Sequence, residues 1–282
     1  MTDGATVRID AHQHYWRFDP VRDAWIDASM PALRRDWLPV DVVPALRCAR
    51  VDGVVAVQAS QSDGETDFLL ALAAEHPFIR GVVGWTDLRA PNLAEWLAVR
   101  RGNTRLCGFR HIAQSEPMDF LRRPDVIAGI ALLGEHGYSY DILIHAGQLA
   151  AAEFLVERCA GVRFVLDHCG KPPIASRELA AWRRGIAALA RHEHVWCKVS
   201  GLITEAHWSR WRTDEITECL DTVAAAFGTD RLLFGSDWPV CLLAGSYAQV
   251  AELVETWALR LPAVERARLF GGTAVDVYRL EA

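Results

Sequence analysis

The chain has 282 residues and a formal net charge of −6; 51% of its residues are hydrophobic and 23% are charged. This length fits one large domain, and the hydrophobic fraction excludes a disordered chain. The acidic balance argues against a nucleic-acid partner, which would require a basic face.

Short runs of apolar and β-branched residues predict eight buried strands. In chain order they span 7–12, 52–59, 79–87, 106–112, 140–146, 162–168, 195–201 and 231–237. Helical periodicity appears between them at 65–77, 149–161, 179–192 and 214–228, with Gly161 and Gly228 as predicted C-terminal caps. Alternating strands and helices imply parallel pairing through right-handed crossovers. The pattern therefore predicts an α/β fold, a closed (β/α)8 TIM barrel forming a single domain over residues 1–282.

A doubly wound open sheet is the alternative architecture. No G-x-G-x-x-G follows an early strand, which weakens a dinucleotide-binding version of that fold. The longest irregular stretch, residues 15–40, is rich in aromatic residues, Asp, Arg and Pro. Loops of this length in compact domains are usually functional, so we expect it to fold over the barrel mouth.

The ends of the predicted strands are polar, and in a parallel barrel the C-terminal strand ends build the active site. His12 and His14 alternate along the first strand, so they share one face with Gln13 opposite. Two neutral imidazoles that converge can hold a metal ion or bracket a substrate. The other polar strand-end residues are Gln58, Arg110, His111, His145, His168, Lys198, Ser200 and Asp237.

Each of these residues also has a structural alternative. Arg110 suits an anion or carbonyl clamp but could form a salt bridge, and Lys198 could form a buried ion pair. Gln58 could satisfy a backbone group, and His145 could be a hydrogen-bonded core imidazole. Asp237 could cap the helix after the last strand.

The seven cysteines are widely spaced and contain no C-x-x-C pair, which argues against a disulfide framework or a zinc knuckle. Reduced thiols and an N-terminus without a signal-peptide pattern predict a cytoplasmic protein. No apolar run is long enough to span a bilayer, so no membrane partner is expected.

An H-x-H after the first strand, histidines ending the fifth and sixth strands, and an aspartate ending the eighth resemble the amidohydrolase superfamily. The ordered segments "DAHQHYW", "LRRDWLP", "DGVVAVQAS", "GVVGWTDLRAP", "FVLDHCGKP", "WCKVSGL" and "RLLFGSDWPVC" resemble its sugar-lactonase branch, the L-fuconolactonase and L-rhamnonolactonase-like proteins. The resemblance runs from about residue 7 to residue 278.

The resemblance implies a (β/α)8 hydrolase that opens a lactone of a sugar acid. It places His12 and His14 as metal ligands, Asp237 as ligand and proton shuttle, and His168 near the water or the carbonyl. His145 falls where many superfamily members have a further ligand. The bridging lysine or glutamate of binuclear members is missing, so the implied cofactor is one divalent ion, zinc first, and its necessity is left open.

In the mechanism that we expect, Asp237 accepts the proton of the attacking water and returns it to the leaving alkoxide. Arg110 and His168 are the candidates for stabilising the oxyanion. Trp16 and Trp238 could stack on the sugar ring. The predicted hydrogen-bonding residues for the substrate are Gln58, Gln148 and Lys171.

Three other functions remain open at this stage. The first is a metal-dependent decarboxylase of the same superfamily, and the second is a lactonase for intermediates of aromatic breakdown. The third is a non-catalytic binding barrel. The sequence also leaves the oligomeric state open, including a homo-oligomer.

Overall fold

The computed structural model describes residues 7–62 and 64–281, and eight parallel strands form one sheet in the order β1 to β8. The strands span Ile9–Gln13, Gly53–Val57, Ile79–Gly84, Leu106–His111, Ser139–Ile142, Arg163–Leu166, Val195–Val199 and Leu232–Phe234. All eight predicted strands are present, and the predicted (β/α)8 barrel is confirmed. Residues 1–6, part of the N-terminus without a signal-peptide pattern, lie outside the described residues.

Helices alternate with the strands and pack around the sheet. Helices α1 to α10 span Pro39–Cys48, Glu65–Glu75, Leu93–Arg100, Pro124–Glu135, Leu149–Arg158, Leu179–Ala190, Thr213–Phe227, Tyr247–Ala258, Ala263–Ala267 and Thr273–Tyr278. Within residues 7–62 and 64–281, none of the helices combines the length and apolar character needed to cross a bilayer.

Helix ends follow local backbone chemistry. Helix α2 ends at Glu75 because the residue before Pro77 is driven to extended angles, and His76 has φ −123° and ψ 93°. Gly228 ends α7 with φ +72°, as predicted for a C-terminal glycine. The predicted cap at Gly161 is wrong, because Cys159 already leaves the helical region with φ −122° and ends α5.

The barrel closes where β1 meets β8, a junction that we call the seam. A single isolated bridge joins Gln13 to Trp238, so the described residues show no regular ladder between these strands. Two backbone hydrogen bonds also cross the seam, from Asp237 N to His12 O (2.9 Å) and from His14 N to Trp238 O (2.7 Å). The seam therefore lies among the predicted site residues.

An apolar layer fills one end of the barrel interior. Its members come from six strands, from α10 and from the segment after α10, and they are Ile9, Ala11, Val55, Val57, Val83, Cys107, Val165, Leu233, Ala274, Val277, Tyr278 and Leu280. These side chains are buried, as expected for the packed interior of such a barrel. The polar residues of the interior lie beyond this layer, toward the C-terminal strand ends.

The loop at 15–40 is held by its own small core. Trp16 and Trp37 form an antiparallel bridge, and each backbone N–H donates to the other residue's carbonyl at 2.9 Å. Trp16, Ile26 and Leu33 pack with Ala59, which follows β2, and with Val240, which follows β8. The loop thus contacts segments at the C-terminal ends of two strands, while its closure over the barrel mouth stays a prediction.

Gly129 of α4 is a position where the helix touches neighbouring backbone. A Cβ added there would lie 2.0 Å from the carbonyl oxygen of Leu88. We expect Gly129→Ala to lower the unfolding free energy by about 1–3 kcal/mol, because backbone must shift to make room. Urea denaturation measures this. Gly102→Ala is the matched control, since an added Cβ there meets nothing within 4 Å; equal effects of the two substitutions would contradict the prediction.

Candidate active site

Four buried side chains converge at the C-terminal ends of β1, β6 and β8, namely His12, His14, His168 and Asp237, which we name the His–Asp cluster. His14 Nε2 lies 3.1 Å from His12 Nε2 and 3.4 Å from Asp237 Oδ1. His12 Nε2 is 3.7 Å from that same carboxylate oxygen, and His168 Nε2 is 4.0 Å from it. The structure thus brings together residues more than 220 positions apart in the sequence.

The donor atoms of the cluster fit a divalent metal ion. His14 Nδ1 is 2.8 Å from the carbonyl oxygen of Val57. A carbonyl oxygen only accepts, so Nδ1 carries the proton of the neutral ring and Nε2 presents a lone pair to Asp237. The lone pair of His14 Nε2 and the Asp237 carboxylate face each other in a buried site, and a cation placed between them would be attracted to both. Imidazole and carboxylate are zinc-type ligands, and the ligand atoms of His12, His168 and Asp237 all lie within 4.8 Å of one another.

Two members of the cluster have backbone angles that side-chain-bearing residues rarely adopt. The φ of His168 is +52° and that of Asp237 is +59°. Each such conformation costs about 1–3 kcal/mol, and such residues concentrate at functional sites. Gly201 makes room for this arrangement, because an added Cβ there would lie 2.6 Å from His168 Nδ1.

Burial and mutual interaction set the charge states of the cluster. Burial lowers the pKa of His168 to about 4 and holds the pKa of His12 well below its usual value. Burial acts to raise the pKa of Asp237, but the imidazoles of His168, His14 and His12 outweigh it and lower that pKa below its usual range. The cluster therefore favours an ionised Asp237 carboxylate beside neutral rings of His12 and His168, a state that binds a cation.

A second polar set lies beside the cluster inside the barrel. It consists of Arg110, Asp141, Asp167 and Lys198, all buried, and we name it the charged layer. Lys198 Nζ lies 2.5 Å from Asp141 Oδ2, 3.0 Å from Asp167 Oδ1 and 3.1 Å from His12 Nδ1. Arg110 Nη1 donates to Asp167 Oδ2 at 2.9 Å. Two cations thus balance two carboxylates, as buried charges require.

The charged layer predicts a pH dependence of stability. Burial raises the pKa of Asp141 from 3.8 to about 6, although Lys198 and Tyr278 favour the carboxylate. The folded state therefore binds this proton more tightly than the unfolded state. The stability that Asp141 contributes is fully present below pH 3.8 and is lost as pH rises through about 6. Urea denaturation at several pH values measures the unfolding free energy of the wild type minus that of Asp141→Asn. We expect this difference to decrease as the pH is raised from 3.8 to about 6. A difference that does not change with pH would contradict the prediction.

Arg110, predicted to be catalytic, adjoins the His–Asp cluster: its Nη1 lies 3.3 Å from His12 Nε2. Its Nη2 donates to the carbonyl oxygen of Gln58 and, at 3.1 Å, to Gln58 Oε1. Gln58 Nε2 returns a hydrogen bond to the Arg110 carbonyl oxygen at 3.2 Å. Arg110 thus has both a structural partner and access to the cluster, whereas Gln58 is fully buried against Arg110.

The structure does not place His145 in the His–Asp cluster. Its side chain is exposed, and partial burial together with the charge of Lys171 lowers its pKa. Lys171 Nζ pairs with Glu205 Oε1 at 3.1 Å. Gln148 is buried, donates to the Ala113 carbonyl oxygen at 2.8 Å and accepts from the His145 backbone N–H at 3.0 Å. The charged group of Lys171 is thus partly exposed. Gln148 connects the segment after β5 to the segment after β4.

The two predicted stacking residues are 3% exposed. Trp238 packs edge-on against Trp37 with ring centroids 5.1 Å apart. Trp16 packs edge-on against Trp25 at 5.9 Å, and its Nε1 donates to the Arg35 carbonyl oxygen at 2.9 Å. Both residues have packing roles in this structure, and stacking on a sugar ring stays a prediction.

Three buried carboxylates next to the cluster were missed at the sequence level: Asp10, Asp141 and Asp167. Asp10 precedes His12 by two residues, and Asp167 directly precedes His168. The signal that could have found them is an ionisable residue inside an apolar run, as in "VRIDA" and "YDILI". Such a residue must be paired when it is buried, so it indicates an internal polar network.

Comparison with known proteins identifies the family of this chain. The amidohydrolase family model matches residues 9–280. The chain is 46% identical over 286 residues to L-fucono-1,5-lactonase from Burkholderia multivorans, covering 97% of this chain and 96% of that protein. It is 34% identical over 284 residues to L-fucono-1,5-lactonase from Burkholderia ambifaria, covering 98% of this chain and 97% of that protein.

Solved structures show the same fold. The crystal structure of an amidohydrolase from Burkholderia multivorans with bound zinc superposes with a TM-score of 0.95 at 46% identity, covering 98% of this chain and 100% of that one. A 2-pyrone-4,6-dicarboxylic acid hydrolase structure from Pseudomonas putida, at 24% identity and a TM-score of 0.78, shares the barrel fold. From the near-complete family match, the close relatives and the His–Asp cluster at the strand ends, we conclude that this chain belongs to the amidohydrolase family.

Proposed function

We propose that this protein hydrolyses the lactone of a sugar acid, with L-fucono-1,5-lactone as the first substrate to test. The observation that carries the proposal is the His–Asp cluster, a buried carboxylate among three imidazoles at the mouth of the barrel. Two relatives at 46% and 34% identity bear the name L-fucono-1,5-lactonase, which supports this substrate class.

We propose that His12, His14 and Asp237 hold one divalent ion, zinc being the first to test, because their facing atoms lie 3.1 to 3.7 Å apart. His168 Nε2 lies 4.0 Å from the same carboxylate oxygen. When bound there, the ion would polarise the ester carbonyl and lower the pKa of a coordinated water. His145, which the sequence suggested as a further ligand, lies outside the cluster and is not needed for this set. An amidohydrolase relative with bound zinc supports the choice of metal.

Asp237 is the proposed general base. Its carboxylate is held ionised and takes the proton of the attacking water, whose oxygen forms a bond to the lactone carbonyl carbon. The tetrahedral intermediate then collapses, the bond from this carbon to the ring oxygen breaks, and Asp237 returns the proton to that oxygen. The product is an open-chain hydroxy acid, which ionises and releases one proton to solution.

His168 and Arg110 are the proposed oxyanion donors. His168 Nδ1 lies 2.9 Å from Ser200 Oγ. When the Ser200 hydroxyl donates to Nδ1, the Nε2 of His168 carries the proton and can donate to the carbonyl oxygen. Arg110 Nη1 donates to Asp167 and lies 3.3 Å from His12 Nε2, so its second N–H faces the cluster. Both donors are fixed by their partners before substrate binds, as such catalysis requires.

The residues predicted to bind substrate outside the cluster differ in their exposure, and so in the role that we propose for them. Lys171 lies beside its partner Glu205 with a partly exposed ammonium group, so it could donate to a sugar hydroxyl. Trp16, Gln58 and Gln148 are buried and hydrogen-bonded to protein groups, and Trp238 is buried against Trp37. We propose that these four residues support the site rather than contact the substrate. All seven cysteines are free, as in a reducing compartment, and we propose a cytoplasmic location.

A pH-indicator assay over a panel of aldonolactones tests the proposed function. Proton release with L-fucono-1,5-lactone or a related aldonolactone at slightly alkaline pH is the expected result. The panel also contains a lactone dicarboxylate from aromatic breakdown, and carbon dioxide is measured in parallel. Turnover of that dicarboxylate alone, or carbon dioxide release without lactone opening, would instead favour one of the two alternative activities.

A further inference from the structure

Asp10 lies at the seam and accepts four hydrogen bonds in a fully buried position. Its Oδ1 accepts from the backbone N–H of Ser236 at 2.8 Å and from that of His12 at 3.1 Å. Its Oδ2 accepts from Gln13 Nε2 at 2.7 Å and from the Tyr247 hydroxyl at 3.0 Å. One carboxylate therefore links β1, the segment after β8 and helix α8.

An irregularity in β1 gives Asp10 this orientation. The pairing of β1 with β2 shifts register between Asp10 and Gln13. In a regular strand Asp10 would share the face of His12. Instead, its carboxylate reaches Gln13 and Tyr247, while the ring of His12 faces the cluster. Bulges beside active sites commonly redirect side chains in this way.

The seam has few other connections near the cluster. Within the described residues, the backbone contact between the β1 end and the segment after β8 is two hydrogen bonds at the isolated bridge between Gln13 and Trp238. Asp10 adds a side-chain link that fixes the backbone of His12 and of Ser236, the residue before Asp237. Removing this acceptor frees the backbone on both sides of the cluster, including the strained Asp237.

We infer that Asp10 is a positioning residue, whose carboxylate sets the separation between His12 and Asp237 that metal binding and water activation require. The kinetic part of this inference rests on the proposed function, whereas the metal-binding part is measured without substrate. Asp10 touches neither the metal position nor the substrate, and it acts through the two backbone segments that it joins.

Asp10→Asn tests the inference in the full-length protein. Its amide keeps one acceptor oxygen but puts an NH₂ group against a donor, either Gln13 Nε2 or the backbone N–H groups of Ser236 and His12. Zn²⁺ affinity is measured by competition with a chromophoric chelator, and kcat and KM are measured on the aldonolactone. Substitutions that disturb the support of metal ligands typically cost about 10–100-fold. We expect losses of about this size in Zn²⁺ affinity and in kcat, with KM changed less than about threefold.

Thr273→Ala is the control for lost stability alone. Thr273 is fully buried, and its hydroxyl donates to the Asp230 carbonyl oxygen at 3.1 Å, on α10 and away from the cluster. We expect this variant to keep wild-type Zn²⁺ affinity and kcat at temperatures where it is folded. Equal Zn²⁺ affinity and equal kcat in Asp10→Asn and Thr273→Ala would overturn the inference.

Tyr247→Phe covers the case in which Asp10→Asn does not fold. It removes one donor to Oδ2 and leaves both backbone hydrogen bonds of Oδ1 in place. Because the Tyr247 hydroxyl helps to orient the carboxylate that accepts from these N–H groups, a smaller loss in the same direction supports the inference, and wild-type values for both readouts would overturn it. If the wild type opens no lactone but Asp10→Asn still loses Zn²⁺ affinity, the proposed function fails and the positioning role stands.

Discussion

Replacing Asp237 by asparagine is expected to lower kcat/KM for the aldonolactone by about 10²–10⁴-fold, the contribution of a general acid–base group. The amide cannot accept the proton of the attacking water, and it removes the negative charge that faces His12, His14 and His168. The pH-indicator assay measures the effect. Zn²⁺ affinity is also expected to fall, because a neutral amide is a poorer ligand than a carboxylate.

Asp221→Asn is the matched control for this prediction. Asp221 is an exposed carboxylate that pairs with Arg260 and accepts from Trp257 Nε1 at 2.8 Å, on the outside of the barrel. The same chemical change there is expected to leave kcat/KM unaltered. Full activity of Asp237→Asn would remove Asp237 from the mechanism.

Replacing Lys198 by methionine is expected to lower the unfolding free energy by about 3–5 kcal/mol, the usual result of breaking a buried ion pair from one side. The ammonium group lies between Asp141 and Asp167, and all three side chains are inaccessible to solvent. Without the cation, two carboxylates face each other with only Arg110 to balance them. Urea denaturation at neutral pH measures the loss.

Two further variants isolate the ion-pair effect. Lys171→Met removes the cation of the partly exposed pair with Glu205 and is expected to cost less than about 1 kcal/mol. Combining Lys198→Met with Asp141→Asn removes one of the unpaired charges, so the double variant is expected to be more stable than Lys198→Met alone. A cost for Lys198→Met no larger than that for Lys171→Met would show that the charged layer contributes little to stability.

The strands could be predicted because each is a short run of apolar residues that the barrel buries on both faces. The His–Asp cluster could be predicted because parallel strands direct their C-terminal ends to one place. His12 lies in β1 and His14 directly follows it, while His168 and Asp237 lie two and three residues after β6 and β8. The structure brings these four side chains together. The role of each in catalysis stays a prediction.

His145 shows why strand-end reasoning has limits. The sequence predicts strand five to continue to residue 146, but β5 ends at Ile142, so His145 lies three residues beyond the sheet with an exposed side chain. His168 also lies beyond its strand, since β6 ends at Leu166. Its positive φ turns the chain so that its ring still meets the cluster. The pattern of apolar residues in the sequence does not predict this turn at His168.

Asp10 and the charged layer depend on contacts between distant segments. Alternation along β1 would place Asp10 with His12, and only the register shift between β1 and β2 turns it toward Tyr247. Lys198 and Asp141 are 57 residues apart, and they meet because β7 and β5 direct these two side chains into the barrel interior. One-dimensional patterns indicate that such residues need partners but do not identify them.

The position of the seam has a consequence for synthesis of the protein. His12 belongs to the first strand to leave the ribosome and His14 directly follows that strand, whereas Asp237 follows the last strand. During synthesis, His12 and His14 are therefore made long before Asp237, whose carboxylate lies beside them in the folded protein. Catalytic competence can arise only when the two ends of the sheet have met, so truncation anywhere before residue 237 is expected to leave an inert product.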